Sequence, residues 1–204
     1  MHFLSNLDIS GPGKSKFWNL SINNSKLKKF DLPHANIETY WVKLSTVPGT
    51  NDGWTPLHSA AAHGHFDVCK LITESLEDKN PGDGNGNTPL HFAAEYGHLR
   101  ICKLIMINLE SKNPANNIGG FTPLHYAAFG GSLEVCEYIT KDLKNKNPKA
   151  HNGWTPLHWA AQECHGKILK FITENVEEKN PKDIFGRTPK EIWKTESRKI
   201  QDIF

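Results

Sequence analysis

Several features that would assign this chain to a large functional class are missing from its 204 residues. No apolar run reaches 18 residues, so no transmembrane helix is predicted. Lys and Arg number 24 against 22 Asp and Glu, and the net charge of +2 lacks the basic excess of a nucleic-acid-binding domain. Residues 1–6 lack the apolar stretch of a secretory signal peptide. We therefore expect an intracellular protein of the cytoplasm that neither inserts into a membrane nor binds nucleic acid.

Cysteine is scarce, and its placement matches neither a disulfide framework nor a zinc site. The four cysteines include no Cys-x-x-Cys pair. Cys69, Cys102 and Cys136 recur at one position of a repeating pattern, beside apolar residues. A reduced cysteine in such a place behaves as a small hydrophobic residue. We expect a reducing compartment, no metal and no cofactor.

Catalytic signatures are missing as well. Residues 11–15, Gly-Pro-Gly-Lys-Ser, end like a phosphate-binding loop, but Asp8 occupies the place of its first glycine and no apolar strand precedes it. No serine or cysteine lies in a nucleophile elbow. The sequence therefore predicts a protein that is not an enzyme.

The motif Thr-Pro-Leu-His, in contrast, occurs four times in the sequence. It begins at Thr55, Thr88, Thr122 and Thr155, so that its copies lie 33, 34 and 33 residues apart, and a degraded fifth copy begins at Thr188. A fixed period of this length indicates stacked supersecondary units rather than one globular core. Such a stack usually presents a surface and seldom encloses a reaction.

Each copy predicts a pair of helices. Thr55 suits the N-cap of a first helix and Pro56 its first turn. Gly64 suits the left-handed conformation that ends this helix, and His65 opens a second one. Four residues at helical spacing in the second helix are expected to face the interior: Val68, Leu71, Ile72 and Leu76.

Residues 53–80 read Gly-x-Thr-Pro-Leu-His-x-Ala-Ala-x-x-Gly-His, then an apolar run and Asp-Lys-Asn, and this resembles the ankyrin repeat over about 47–204. The resemblance implies a mainly α solenoid of four helix-turn-helix repeats with β-turn fingers. We place the repeats at about 50–82, 83–116, 117–149 and 150–182 within 47–187, followed by a capping half-repeat over 183–204. The resemblance also implies that the motif histidine bonds to the threonine hydroxyl and the backbone. It implies a role in binding another protein, and we expect the protein to be a monomer.

Residues 1–46 do not follow the repeat. Apolar residues recur there every five positions from Phe17 to Val47, which gives 15–47 a weak similarity to pentapeptide repeats. An irregular N-terminal cap is the alternative interpretation. A third is that the chain is a fragment of a longer protein.

Positions that differ among the repeats are free to select a partner. The resemblance places the residue before each motif threonine, and the two that end each first helix, on the concave side. Exposed aromatic residues there would be costly without a partner, although Trp54 and Trp154 could instead pack on the adjoining turn. The predicted partner-binding residues are Trp54, Phe121, Trp154, His63, Glu95, Tyr96, Phe129, Gln162, Glu163, Asn51, Asp52, His151 and Asn152.

Three local features depart from this pattern or add to it. The residues after the motif histidine, Phe92, Tyr126 and Trp159, form an aromatic column that we expect in the core. The turn over 113–121 has one extra residue, and Cys164 stands where the other repeats have glycine. A left-handed cysteine would be strained, so either the turn differs or the strain is tolerated.

The sequence favours a non-catalytic interaction scaffold. One alternative is a regulatory or substrate-targeting subunit of an enzyme complex, and another is a purely structural spacer. Nothing in the sequence identifies the partner.

Overall fold

The computed structural model describes residues 52–107 and 109–201. Within these residues the chain forms nine α-helices and no strand, in the order short first helix, longer second helix. The helices are α1 (Pro56–Ala62), α2 (Phe66–Ser75), α3 (Pro89–Glu95), α4 (Leu99–Met106), α5 (Pro123–Phe129), α6 (Leu133–Thr140), α7 (Pro156–Gln162), α8 (Gly166–Glu174) and α9 (Pro189–Gln201). This confirms the predicted helical repeat solenoid. The proposed pentapeptide-like segment and Asn51 lie outside the described residues.

The four motif copies begin the first helices in the same way. Each threonine is an extended N-cap, and each proline starts the helix, where its missing N–H costs nothing. The threonine N–H donates to Nδ1 of the motif histidine at 3.0–3.1 Å in every copy. The threonine hydroxyl lies 2.8–3.0 Å from the same nitrogen. The bond to threonine that the motif implies is therefore present in all four repeats.

The other ring nitrogen of each motif histidine joins one repeat to the next. Nε2 of His58 lies 3.0 Å from the carbonyl oxygen of Asn87, and the three later histidines reach Phe121, Trp154 and Arg187 at 3.1–3.3 Å. A carbonyl only accepts, so Nε2 carries the proton and Nδ1 is the acceptor. Each ring thus closes its own turn and fixes the finger of the following repeat, which is the β-turn that precedes the next motif threonine. The net gain is about 0.5–1.5 kcal/mol per bond.

The core runs between the helices along the stack. First helices pack on first helices and second helices on second helices. The motif leucines and the Ala-Ala pairs are fully buried, and so are Cys69, Cys102 and Cys136. Truncating one such leucine to alanine costs about 2–5 kcal/mol. The prediction for Leu71 was wrong: its side chain is 39% exposed, because the interior face of α2 is already filled by Val68, Cys69 and Ile72.

Neighbouring fingers are joined by one backbone hydrogen bond each. The N–H groups of Gly84, Asn117, His151 and Ile184 donate to carbonyls of the preceding finger at 2.6–3.1 Å. The finger with the extra residue keeps its base, where the Asn116 side chain accepts the N–H groups of Gly119 and Phe121. The insertion is taken up at the tip, where Ile118 is 68% exposed.

The turn between the helices of a pair is left-handed in every repeat. Gly64, Gly97 and Gly131 have φ of 74–77°, and Cys164 has φ 57°. Among the described residues, Cys164 is the one non-glycine residue with positive φ. The fourth repeat therefore keeps the turn of its sisters and tolerates the strain.

The last helix, α9, begins with a modified motif. Glu191 replaces histidine, and its carboxylate accepts the N–H and the hydroxyl of Thr188 at 2.9 and 2.8 Å. These bonds hold the pKa of Glu191 below its usual range. The Glu191 carboxylate thus bonds to Thr188 as the histidine ring bonds to threonine in the other copies. Ile192 is buried, and α9 packs on α7.

Candidate functional site

The ends of the first helices and the bases of the fingers form one continuous surface, which we call the groove face. His63, Tyr96 and Glu163 cap α1, α3 and α7 and are exposed, Tyr96 to 58%. Phe129 ends α5 and is 38% exposed, while Glu95 and Gln162 are half-buried. The first helices stack side by side, so these ends form a row. The face is therefore assembled from every repeat.

The predicted aromatic residues at the finger bases are half-buried and pack on the aromatic column, Trp54 and Phe121 on the following repeat and Trp154 within its own. Trp54 lies edge to face on Phe92, with ring centroids 4.4 Å apart. Trp154 meets Trp159 at 4.6 Å, and Phe121 meets Trp159 at 5.7 Å. Each contact of this kind contributes about 0.5–1.5 kcal/mol beyond its buried area. These residues support the groove face as well as forming part of it.

The aromatic column was predicted to lie in the core, and the structure places it at the edge of the core instead. Phe92, Tyr126 and Trp159 are half-buried, and only the small Ser59 at the same position is buried. The fully buried Ala-Ala pairs bring neighbouring first helices close together. Large rings do not fit between them and extend onto the groove face. Sequence reasoning therefore missed Tyr126 and Trp159 as site residues.

Aromatic rings of the groove face line an open hollow of about 220 Å³. Its lining residues are Glu95, Phe121, His125, Tyr126, Phe129 and Trp159. They come from the second, third and fourth Thr-Pro-Leu-His repeats. Three of them, Phe121, Phe129 and Glu95, were predicted from the sequence as binding residues.

The Tyr126 and His125 side chains at the hollow have hydrogen-bond partners within the protein, whereas the buried Trp159 Nε1 has none among the described residues. The Tyr126 hydroxyl donates to Asn87 Oδ1 at 2.8 Å, and the Asn116 amide donates to the same oxygen at 2.8 Å. Burial lowers the pKa of His125 to about 4, so its ring is neutral at neutral pH. Burial also raises the pKa of the Glu95 carboxyl. The walls are thus rigid and mostly apolar, with one acidic group.

A comparison with known families assigns this architecture. The family model described as ankyrin repeats in three copies matches residues 30–117 and 104–183. The chain belongs to the ankyrin repeat family. Ankyrin repeats are generally protein–protein interaction modules, and proteins of this family are typically non-catalytic scaffolds. No curated protein matches the chain.

The fourth finger of the ankyrin array is held by a buried acid. Asp183 Oδ2 accepts Trp154 Nε1 at 3.1 Å and lies 2.8 Å from the Arg187 guanidinium. Burial alone would raise the pKa of Asp183, but the hydrogen bonds from Arg187, Phe185 and Trp154 hold it below its usual range. Trp154 is therefore fixed in place by its indole N–H.

The finger tips of the array form a second exposed row. Of the residues predicted there, Asp52 and His151 are exposed and Asn152 is half-buried, with its side chain accepting the Trp154 N–H at 3.0 Å. The tips also present apolar residues that the sequence analysis did not select. They are Ile118, Ile184 and Phe185, with exposed fractions of 68%, 64% and 74%.

Over 52–107 and 109–201, no group of three or more His, Cys, Asp and Glu side chains could hold a metal ion. Among the helices of the same residues, none combines the length and apolar character needed to cross a membrane.

Proposed function

We propose that this ankyrin array binds a partner protein along its concave groove, as a monomer and without chemistry of its own. The observation that carries the proposal is the groove face, a surface built from several repeats on which Tyr96 is exposed and Phe129 is exposed beside the aromatic hollow. Aromatic side chains are the residues that most often dominate interface energies. Apolar surface that gathers on one face of a protein is typical of an interaction site.

Rigidity supports the same proposal. The motif histidines tie each repeat to the next finger, and Asn87 and Asp183 fix Tyr126 and Trp154 through hydrogen bonds. Binding to a surface that is already ordered loses less conformational entropy. The array therefore suits recognition of a specific partner.

The predicted binding residues have different parts in this proposal. Tyr96, Phe129, Glu163 and His63 are accessible and are proposed to contact the partner directly. Trp54, Phe121 and Trp154 are half-buried, so replacing them would cost stability as well as binding. The accessible residues are therefore the better test.

A photo-crosslinking amino acid placed at Tyr96 tests the proposal in living cells or lysate. We expect one or a few proteins to be captured from this position in reproducible yield. The matched control places the same amino acid at Glu137, an exposed residue of the second helix α6. Capture of the same proteins from Glu137 but not from Tyr96 would refute the groove, and capture from neither would support a spacer. A recurrent enzyme among the captured proteins would support the regulatory or targeting alternative.

A further inference from the structure

The walls of the aromatic hollow meet nearly at right angles. Phe129 and Trp159 have ring centroids 5.2 Å apart with an angle of 80° between their planes, and Phe121 and Trp159 are 5.7 Å apart at 67°. Rings that meet edge to face enclose a corner bounded by their faces. The face of an aromatic ring carries the negative part of its quadrupole, which attracts a cation.

One side chain that carries charge at neutral pH lines the hollow. Glu95 is that residue: burial lowers the pKa of His125 to about 4 and raises the pKa of Tyr126, so both are neutral at neutral pH. No lysine or arginine lines the hollow, and none within the described part of the chain forms an ion pair with Glu95. The partly buried carboxylate therefore lacks a cationic partner from residues 52–107 and 109–201.

The dimensions of the hollow fit a side-chain head group. Its volume of about 220 Å³ exceeds that of an apolar cavity of about 150 Å³ known to hold benzene. It is bounded by ring atoms on several sides and open to solvent on another. A long side chain from a bound protein can enter without insertion of that protein's backbone.

We propose that the hollow binds the cationic head of a lysine or arginine side chain of the partner, held between the ring faces and Glu95. This inference rests on the proposed protein-binding function and specifies the anchor that the partner must supply. A weakly hydrated cation, such as a methylated ammonium or a guanidinium, loses the least on leaving water and is best suited to such a site.

Short peptides that differ only at one central side chain test the inference on the full chain. The probes are the pentapeptides acetyl-Ala-Ala-X-Ala-Ala-amide, where X is lysine, trimethyllysine, arginine or norleucine, which has an uncharged stem. Binding is followed by NMR through the indole N–H of Trp159, assigned with a Trp159→Phe variant. We expect at least one cationic peptide to bind about tenfold or more tightly than the norleucine peptide. The arm that binds best identifies the kind of cation.

Variants of the hollow decide whether the cation sits where proposed. Glu95→Gln keeps the shape and removes the charge, and Phe129→Leu keeps an apolar side chain but removes the ring face. Each should weaken the preferred peptide by roughly 5- to 30-fold. The control Phe185→Ala removes an exposed ring from a finger tip and should change the affinity less than twofold. Circular dichroism verifies that each variant is folded.

Two results would overturn the inference. One is equal binding of the norleucine and cationic peptides, which would make the hollow a simple apolar pocket. The other is no shift of Trp159 with any cationic peptide at millimolar concentration. Neither result touches the broader proposal: if Tyr96 still crosslinks a partner, and Glu95→Gln leaves that crosslink unchanged, the groove binds protein through a different anchor.

Discussion

Replacing Cys164 with glycine should stabilise the protein. Cys164 has φ 57°, in the left-handed region where the three sister repeats have glycine. A side chain held there costs about 1–2 kcal/mol. Glycine also gains freedom in the unfolded chain, which removes about 0.4–1 kcal/mol of the benefit. The expected net gain is about 0.5–1 kcal/mol, or about 1–4 °C in melting temperature for a chain of this size.

Urea unfolding followed by circular dichroism measures this gain, with tryptophan fluorescence as a second probe. Repeat arrays can lose cooperativity, so the two transitions must coincide before a free energy is calculated. Cys164→Ala is the matched control. It removes the thiol but keeps the Cβ atom that causes the strain, so the stability should change by less than about 0.5 kcal/mol.

The reverse change in a sister turn completes the test. Gly97→Ala should destabilise by about 1 kcal/mol, because φ is 74° and the new Cβ would lie 2.8 Å from Ser132 Oγ. A destabilising Cys164→Gly would refute the reasoning. It would mean that contacts of the thiol outweigh the backbone strain.

Three further predictions follow from the burial of side chains and from a close backbone approach. Cys164 should react first with a thiol reagent, whereas Cys69, Cys102 and Cys136 are buried with pKa values raised to about 12 and should react only on unfolding; equal rates for all four thiols would contradict this. Burial lowers the pKa of His91 and His125 from 6.5 to about 4, so the urea midpoint should be constant above pH 7 and fall as the pH drops from about 6.5 towards 4. A midpoint that does not change with pH over this range would contradict the lowered pKa values. Gly130→Ala should destabilise by more than about 2 kcal/mol, because its Cβ would overlap the Glu95 carbonyl oxygen, whereas His63→Ala at the equivalent exposed position should cost less than about 1 kcal/mol; similar losses would disprove the close approach.

The sequence was sufficient to predict the repeat because its rules are local. Thr55, Pro56 and His58 determine the start of α1 by capping, by ring geometry and by a bond three residues away. The same is true of the glycine that follows the first helix in the first three repeats. Such features need no knowledge of the neighbouring repeat, and the described helices follow them closely.

Features that depend on the stack were harder to predict. Leu71 satisfies helical periodicity, yet α2 has its interior face filled by other residues. Trp159 looks like a core residue in the sequence, but the Ala-Ala pairs leave no space for its ring between the helices. Glu191 looks like the loss of the motif, although its carboxylate accepts the same two threonine donors.

The hollow could be predicted only in part, since its residues come from three repeats. Glu95 and Phe129 were predicted because they vary at helix ends, and Tyr126 and Trp159 were missed because their column seemed apolar and internal. The aromatic column, taken together with the helix-end positions of adjacent repeats, would have predicted that these residues share one site. That combination is the signal for a composite site in a repeat protein.

The most direct test of the account is the affinity of a purified partner, identified by crosslinking, for two double variants. Tyr96→Ala with Phe129→Ala removes the exposed rings of the groove face, and Lys103→Ala with Glu137→Ala changes two exposed residues of the second helices. Isothermal titration calorimetry should show a loss of roughly 30-fold or more for the groove variant, as expected for interface hot spots, and less than about twofold for the control. An unchanged affinity for the groove variant, with a large loss for the control, would contradict the proposal that this protein binds through its groove.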